Sequence, residues 1–501
     1  MFAYDTTIDN PPLLHDLAGE LLAYVRTAAT QATAVHDVER GLCQRLLQVG
    51  RTTRGHFFAL QGSGDLGDTL TLPDGQTCQR LPELHTRRYV SLFDAFTLIR
   101  TAYGSRAGQT IAFVPLDNRL QLPESVFSYV LQDGDPGLCV EQTFGQAQRT
   151  MARLLNLNQS VDSLEQLNVQ MAEQVTDFRE NRPQPDPATE GPILVPSGDG
   201  KGIVLRRSAD DPAPEAHRTK GQKASHKRLA TVGTAYTVDR SVRTPEEVVA
   251  ALFRDGPKPP PRPQPAPKRV WARLPQEDEE GGVRSSLDIV YDGLLNEGAQ
   301  RNPGLAKERV HLGDGQESLG QARQDPLPER NRTDMLDLLH VTPRRWQAAH
   351  VLYPEGSDQA EAFARERIGR VLRGEGTGVV QGLRRMGTPW ELKGSKKKTW
   401  GQVCTYLLKN RERMHDDEYL AKGYPIASGV MEGACRHRVK DRRERAGMHG
   451  TPEGAQAMLD VRSTYVNRDW EEYQADRIHR ETPRLYPHRH LVEGSQFCMA
   501  A

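Results

Sequence analysis

The sequence predicts an α/β protein. A sheet carries helices on its faces, a mixed and mostly helical N-terminal region precedes it, and a long all-helical block lies late in the chain. Three observations point there. Strand-like runs alternate with helical stretches in the second half, which argues for a sheet with covered faces. Helical patterning is almost unbroken over 344–423. The chain has 501 residues, 37% of them hydrophobic, enough for two to four domains and at least one large core.

Taken in order, Leu13, Leu17, Leu21, Leu22 and Val25, then Val35, Val38, Leu42 and Leu46, recur at helical spacing. Residues 51–125 mix turn signals with short apolar runs such as TIAFVPL (110–116), read as strands. Over 126–185 the pattern is helical again, with two helices joined near Asn158–Val161 and Ser160 or Ser163 as the N-cap. Such a pair is either a helix-turn-helix docking on DNA or ordinary helical packing. NRPQPDPATEG (181–191) is a linker. PILVPSGDGKGIVL (192–205) and KRLATVGTAYTVDR (227–240) are strands rich in β-formers. GPKPPPRPQPAPKR (256–269) is a stiff surface loop or a ligand for a proline-reading domain. Residues 284–300 read as a helix, RVHLGDG (309–315) as a strand ending in a turn, and 335–341 as an apolar run. From 481 the chain should fray into a flexible tail.

Composition excludes some classes. Lys+Arg and Asp+Glu are both 66, so global charge names no partner. Two local basic concentrations stand out, at 393–413 and 436–445. The six cysteines (43, 78, 139, 404, 435 and 498) form no C-x-x-C pair, so neither a zinc knuckle nor a redox motif is present. No apolar run is long enough for a membrane, and MFAYDTTIDNPPLL lacks the marks of a signal peptide. The expectation is a cytoplasmic protein without a membrane partner.

Three acids invite a joint reading. The pair Asp-Gly occurs six times, as expected of a favoured turn dipeptide. Only Asp199 and Asp314 follow runs of strand length, and strand ends are where α/β sheets display ligand-binding groups. Glu432 sits early in a helix expected from an N-cap at Ser428 to Gly447, with Met431, Cys435 and Val439 facing the core. Glu432, Arg436, Lys440 and Arg443 occupy the adjacent stripe. An ordinary Glu432–Arg436 salt bridge is one reading of that stripe. The other is a third metal ligand, because Asp, Asp and Glu from two strands and a later helix are how a ribonuclease H-like fold builds a two-metal site. Two Mg²⁺ ions can activate a nucleophile and stabilise the leaving oxygen in phosphodiester chemistry, and Mg²⁺ needs only a few hard carboxylate ligands.

The segment GYPIASGVMEGACRHRVKDRRERAGMHGTPEGAQAMLDVRSTYVNRDWEEY (423–473) resembles the C-terminal block of bacterial insertion-sequence transposases of the Kra type, DDE enzymes with a ribonuclease H-like core. SGDGKGI (197–203), residues 227–255, RVHLGDGQESL (309–319) and 335–357 resemble further blocks in the same order. The resemblance implies a catalytic, metal-binding triad of Asp199, Asp314 and Glu432 with two Mg²⁺ ions, Mn²⁺ being able to substitute. It sets Asp337 and His340 beside the active site, with His340 positioning a flipped base or a phosphate, or packing structurally. It implies a core of 190–343 plus 424–480, a helical insertion at 344–423, and DNA-end recognition by 1–125. Lys396, Lys397 and Lys398, with Arg436, Arg438, Lys440, Arg442 and Arg443, would hold DNA phosphates. The implied partners are transposon ends and target DNA, with a homo-oligomer on paired ends. Two departures stand out: the N-terminal region lacks the family's paired cysteines, and His449-Gly450 replaces its Arg-Trp pair. A DNA-binding derivative with a dead core and a ribonuclease H-like nuclease outside mobile elements are the other two readings.

Overall fold

The computed structural model describes residues 4–5, 11–104, 110–206, 227–256, 261–277, 281–315, 332–387, 391–435 and 450–494. The chain divides into two compact units, Met1–Gln174 with Asp469–Ala501, and Val175–Arg468.

In the first unit, β1 (Tyr4–Asp5) precedes helices α1 (Pro11–Thr30) and α2 (Val35–Leu60). Six strands follow: β2 (Thr69–Thr71), β3 (Thr77–Arg80), β4 (His85–Ser91), β5 (Asp94–Arg100), β6 (Tyr103–Gly104) and β7 (Ile111–Phe113). They form two sheets, ordered β1-β5-β4 and β2-β3-β6-β7. The strand expected over 110–116 is only Ile111–Phe113. Pro115 instead opens α3 (Pro115–Leu120), where a fixed φ and a missing N–H suit a first helical turn.

Helices α4 (Tyr129–Glu141), α5 (Phe144–Leu155) and α6 (Val161–Ala172) complete the run. Thr143 and Gln146 form a reciprocal capping box on α5, and Asn156 ends it in the left-handed conformation. Ser160, not Ser163, caps α6, accepting from Ser163 N–H at 3.0 Å.

The second unit starts with α7 (Val175–Asn181) and holds a five-stranded mixed sheet. Its strands are β8 (Ile193–Val204), β9 (Lys227–Val238), β10 (Ala266–Arg273), β13 (Glu308–Gly313) and β14 (Arg332–Leu336), with a small β11 (Gln276–Glu277) and β12 (Val283–Arg284) ribbon apart. The order is β10-β9-β8-β13-β14. The first three are antiparallel, and β13 runs parallel to both β8 and β14. The end of the proline-rich run therefore enters β10 at Ala266, on the edge of the sheet where proline is tolerated.

Both faces of the sheet are covered. Ala235, Trp271, Val290, Tyr291 and Leu294 pack on one face through α9 (Ser286–Arg301). On the other, Ile193, Val195, Tyr236, Val310 and Leu312 meet Val248 from α8 (Pro245–Phe253) and residues of a helical block. The block comprises α10 (Leu338–Leu352), α11 (Asp358–Leu372), α12 (Gly376–Met386), α13 (Gly394–Lys409) and α14 (Asp416–Ala421). It has its own core, including Val341, Ala348, Phe363, Val380, Leu383, Trp400 and Leu407. It begins at Leu338, six residues before the expected 344, because Asp337 caps α10. Pro343 is thereby inside the helix, where it removes one backbone bond.

After the block come α15 (Gly429–Ala434) and α16 (Pro452–Asn467). The last helix, α17 (Trp470–Leu485), belongs to the first unit, although the core was expected to reach 480. Trp470 Nε1–H donates to Asp133 Oδ1 at 2.6 Å, and an Arg477 Nη2–H to Gln132 Oε1 at 2.6 Å. The expected fraying from 481 is not seen over 481–494, where α17 ends at Leu485 and a 3-10 turn follows at Arg489–Leu491.

Candidate active site

Asp199 lies within β8, and Asp314 and Asp337 directly follow β13 and β14, the next two parallel strands of the sheet. β8 and β13 pair at Ile193–Glu308 and Leu194–Arg309, and the charge of Asp314 reaches Asp199 further along. Gly313 pairs with Leu336, so Asp314 and Asp337 are the next residues on their strands. Asp314 follows the last residue of β13, as expected. Asp199 does not end its strand: β8 runs on to Val204, and Asp199 pairs with Val232 of β9. A Cβ on Gly198 would stand 3.0 Å from the Tyr291 ring, so the strand needs glycine there for packing.

Asp199 is partly buried, and burial raises its carboxyl above the usual range. A hydrogen bond from the Cys435 thiol, at 3.3 Å to Oδ2, works against that rise, and the charge of Asp314 adds to it. The Gly200 N–H donates to Oδ1 at 2.8 Å. Both oxygens of Asp199 are thus oriented. The Cys435 thiol is itself pushed far up, by burial first and then by Asp199, so it stays protonated and can donate. The sequence placed Cys435 on the buried side of the Glu432 helix, and it is buried there, but nothing in the sequence revealed its contact with a residue 236 positions away.

Asp337 is 1% exposed and is the most heavily bonded of the acids. It accepts from Leu339 N–H (3.0 Å), Ser428 N–H (3.1 Å), the Ser428 hydroxyl and His340 Nδ1 (2.9 Å). Burial alone would raise its carboxyl; these bonds hold it below the usual range. Ser428, expected as a helix N-cap, makes no cap bond and clamps Asp337 instead.

His340 takes its orientation from that buried acid. With Nδ1–H on Asp337, its Nε2 stands 3.8 Å from Glu432 Oε1, and the His340 side chain is 34% exposed. The Asp337 hydrogen bond raises His340 above the ordinary imidazole range against the opposing effect of burial, and the charges of Asp314 and Asp199 add to the rise. Glu432 is the fourth residue of α15, with its side chain 54% exposed. Its neighbour is therefore His340. Arg436, the alternative salt-bridge partner, lies outside the described residues, as do Arg438, Lys440, Arg442 and Arg443. Lys396, Lys397 and Lys398 are exposed in the first turns of α13.

Tyr406 is a contributor the sequence did not suggest. Its hydroxyl, on α13, donates to the Asp314 carbonyl at 2.7 Å. Burial and the Asp314 charge push that hydroxyl up to about 12, so it remains a donor.

As placed, no three His, Cys, Asp or Glu side chains among the described residues gather closely enough to hold one metal ion. The donor set itself suits a hard divalent cation: Asp199 and Asp314 repel one another in a half-buried site, and a carboxylate pair with water satisfies Mg²⁺. No helix among the described residues is long and apolar enough to cross a membrane.

Fold and site together define a mixed α/β protein with an acidic centre formed where parallel strands meet the helix of Glu432. No protein-family profile matches the chain, and neither does any curated protein. Among solved structures, the Drosophila P element transposase strand transfer complex aligns over 74% of this chain and 85% of its own, at 8% identity and a TM-score of 0.26. A likeness that low carries no weight for fold or function.

Proposed function

We propose that the protein is a DDE transposase of a bacterial insertion sequence of the Kra type, cleaving DNA at the element ends and joining the freed 3′ end to target DNA. The observation that carries this reading is that Asp199 within β8 and Asp314 just after the neighbouring parallel β13 feel each other's charge, with Glu432 on a later helix beside His340. That is the arrangement by which a ribonuclease H-like core assembles its site. The electrostatic coupling of Asp199, Asp314 and His340 is further support.

In this reading Asp199, Asp314 and Glu432 hold Mg²⁺ or Mn²⁺. When bound, the ions supply an activated nucleophile and stabilise the leaving oxygen. The chain's own residues do the rest. Cys435 and the Gly200 N–H fix the rotamer of Asp199. Tyr406 fixes the backbone of Asp314. Asp337 orients His340, whose Nε2 offers a proton or positive charge to a phosphate beside Glu432. Lys396, Lys397 and Lys398 hold backbone phosphates, and the basic run from Arg436 to Arg443 does the same in sequence terms. DNA ends and target DNA are the substrates, and a homo-oligomer on paired ends is the working form.

The test is metal-dependent nicking and joining of DNA carrying the element's ends. Asp199→Asn should bind as wild type and fail to cut; normal cutting by that variant sinks the assignment. Cutting without joining by the wild type would make the protein a nuclease instead. Binding without cutting by the wild type would make it a DNA-binding derivative.

A further inference from the structure

In the first unit, α1 and α2 form an antiparallel hairpin joined by residues 31–34. The Tyr24 hydroxyl of α1 donates to the Asp37 carbonyl of α2 at 3.1 Å, and the Arg45 guanidinium lies over the Tyr24 ring at 3.8 Å. Gly41 makes room for that contact, since a Cβ there would collide with the Tyr24 hydroxyl. The seam along α1 is Leu17, Leu21, Tyr24 and Ala28, at i, i+4, i+7 and i+11, and all four are shielded to some degree. One residue on, about 100° round the helix, Ala18, Leu22, Val25 and Ala29 repeat the same spacing. All four of these are exposed. A helix with a single neighbour needs one apolar stripe. α1 carries two, and α2 covers one.

α2 has the same surplus. Val38, Gly41 and Arg45 meet Tyr24, while Val35 and Leu46 lie about a quarter-turn past that seam. The two helices run in opposite directions, so a stripe past the seam on each falls on the same side of the hairpin. Leu22, Val25, Val35 and Leu46 are 40–81% exposed there. Of the fifteen large apolar side chains exposed among the described residues, six belong to these two helices. A concentration of that kind marks an interaction surface.

The stripe on α1 is its own complement. Reversed about the point midway between Leu22 and Val25, Leu22 falls on Val25 and Ala18 falls on Ala29. A two-fold axis through that point sets large side chains against large and small against small, as a self-complementary interface requires. The area also fits. Twenty residues make α1 about 30 Å long, and two packed helices are about 20 Å wide, a face of about 600 Å² before side-chain relief. That approaches the roughly 800 Å² per partner of a standard interface, and one helix alone would offer half of it.

We propose that this face is a dimer interface. The hairpins of two copies of the chain pack face to face as a four-helix bundle, with Leu22 of each copy against the partner's Val25. The proposal goes beyond the DNA chemistry above and does not depend on it; the homo-oligomer of that reading would gain a defined surface.

Sedimentation equilibrium of the full chain, without DNA or metal, tests it. The wild type should be a dimer. Leu22→Glu with Val25→Glu places like charges in contact across the axis and should weaken dimerisation by at least about a hundredfold. Leu22→Lys with Val25→Lys should do the same. Mixing the two double variants in equal amounts should restore a dimer, because each Glu then meets a Lys; this also shows that both variants are folded. Thr27→Glu, on the side of α1 away from the stripe, should leave the wild-type dimer intact. A wild type still monomeric at about 100 μM overturns the proposal. So does a glutamate double variant that dimerises like wild type, a mixture that stays monomeric, or an equal loss from Thr27→Glu. A wild-type dimer that fails to cut DNA would sink the function reading and leave this surface standing.

Discussion

The thiol of Cys435 donates to the carboxylate of Asp199 across 3.3 Å, joining α15 to the middle of β8. Cys435→Ala removes a donor from a half-buried acid and should let its pKa rise further. The expected loss is roughly two- to tenfold in cleavage rate near neutral pH, from a hydrogen bond worth about 0.5–1.5 kcal/mol. Cys435→Ser should recover most of it. Equal rates and pH profiles for all three proteins would show the contact to be incidental.

Asp337 matters through structure first. It caps α10, clamps Ser428 and orients His340. Asp337→Ala removes the cap, worth about 0.5–2 kcal/mol, and leaves the buried Ser428 N–H without its acceptor, at about 1–3 kcal/mol. Urea denaturation should show a stability loss of at least about 1.5 kcal/mol. A loss under about 0.5 kcal/mol would mean that these bonds are replaced by others.

Gly423 follows the helical block and has φ +72°. Its carbonyl accepts from Ser241 N–H at 2.9 Å, and a Cβ there would stand 2.8 Å from that same nitrogen. Gly423→Ala should cost at least about 1–2 kcal/mol from backbone strain alone. A thermal midpoint equal to wild type would refute the left-handed assignment.

Asp135, in the first unit, is buried; its Oδ1 has no hydrogen-bond partner among the described residues, while Oδ2 accepts from Gln159 Nε2–H at 2.8 Å. Burial pushes its carboxyl up to about 6, and the Gln159 bond only partly offsets this. The unfolded chain ionises near pH 4 while the folded one retains its proton, so stability falls as pH rises from about 4 to about 6. Each displaced unit is worth about 1.4 kcal/mol. Asp135→Asn should flatten that slope and match or exceed wild-type stability at pH 7. An unchanged slope would mean that Asp135 is ionised in the fold.

Strand and helix patterning located Asp314 because RVHLG is a short apolar strand with a turn after it, and local sequence sets both. SGDGKG has turn composition and suggests a strand end at Asp199, whereas Gly198 and Gly200 answer to Tyr291 and Leu229 packed against them within a continuous strand. The same limit hid Cys435, Ser428 and Tyr406. Their roles come from contacts made across 236, 91 and 92 positions, which no local pattern encodes. The expected extension of the core to 480 fails for a related reason: Trp470 and Arg477 find their partners at Asp133 and Gln132.

The role proposed for Asp199, Asp314 and Glu432 is that of one metal-dependent centre on DNA. Its most direct test is Mg²⁺-dependent nicking of end-bearing DNA by wild type, Asp199→Asn, Asp314→Asn and Glu432→Gln, with DNA binding measured on the same preparations. Wild-type binding is expected throughout, with cutting by the wild type alone. Cutting at the wild-type rate by any of the three variants would contradict it.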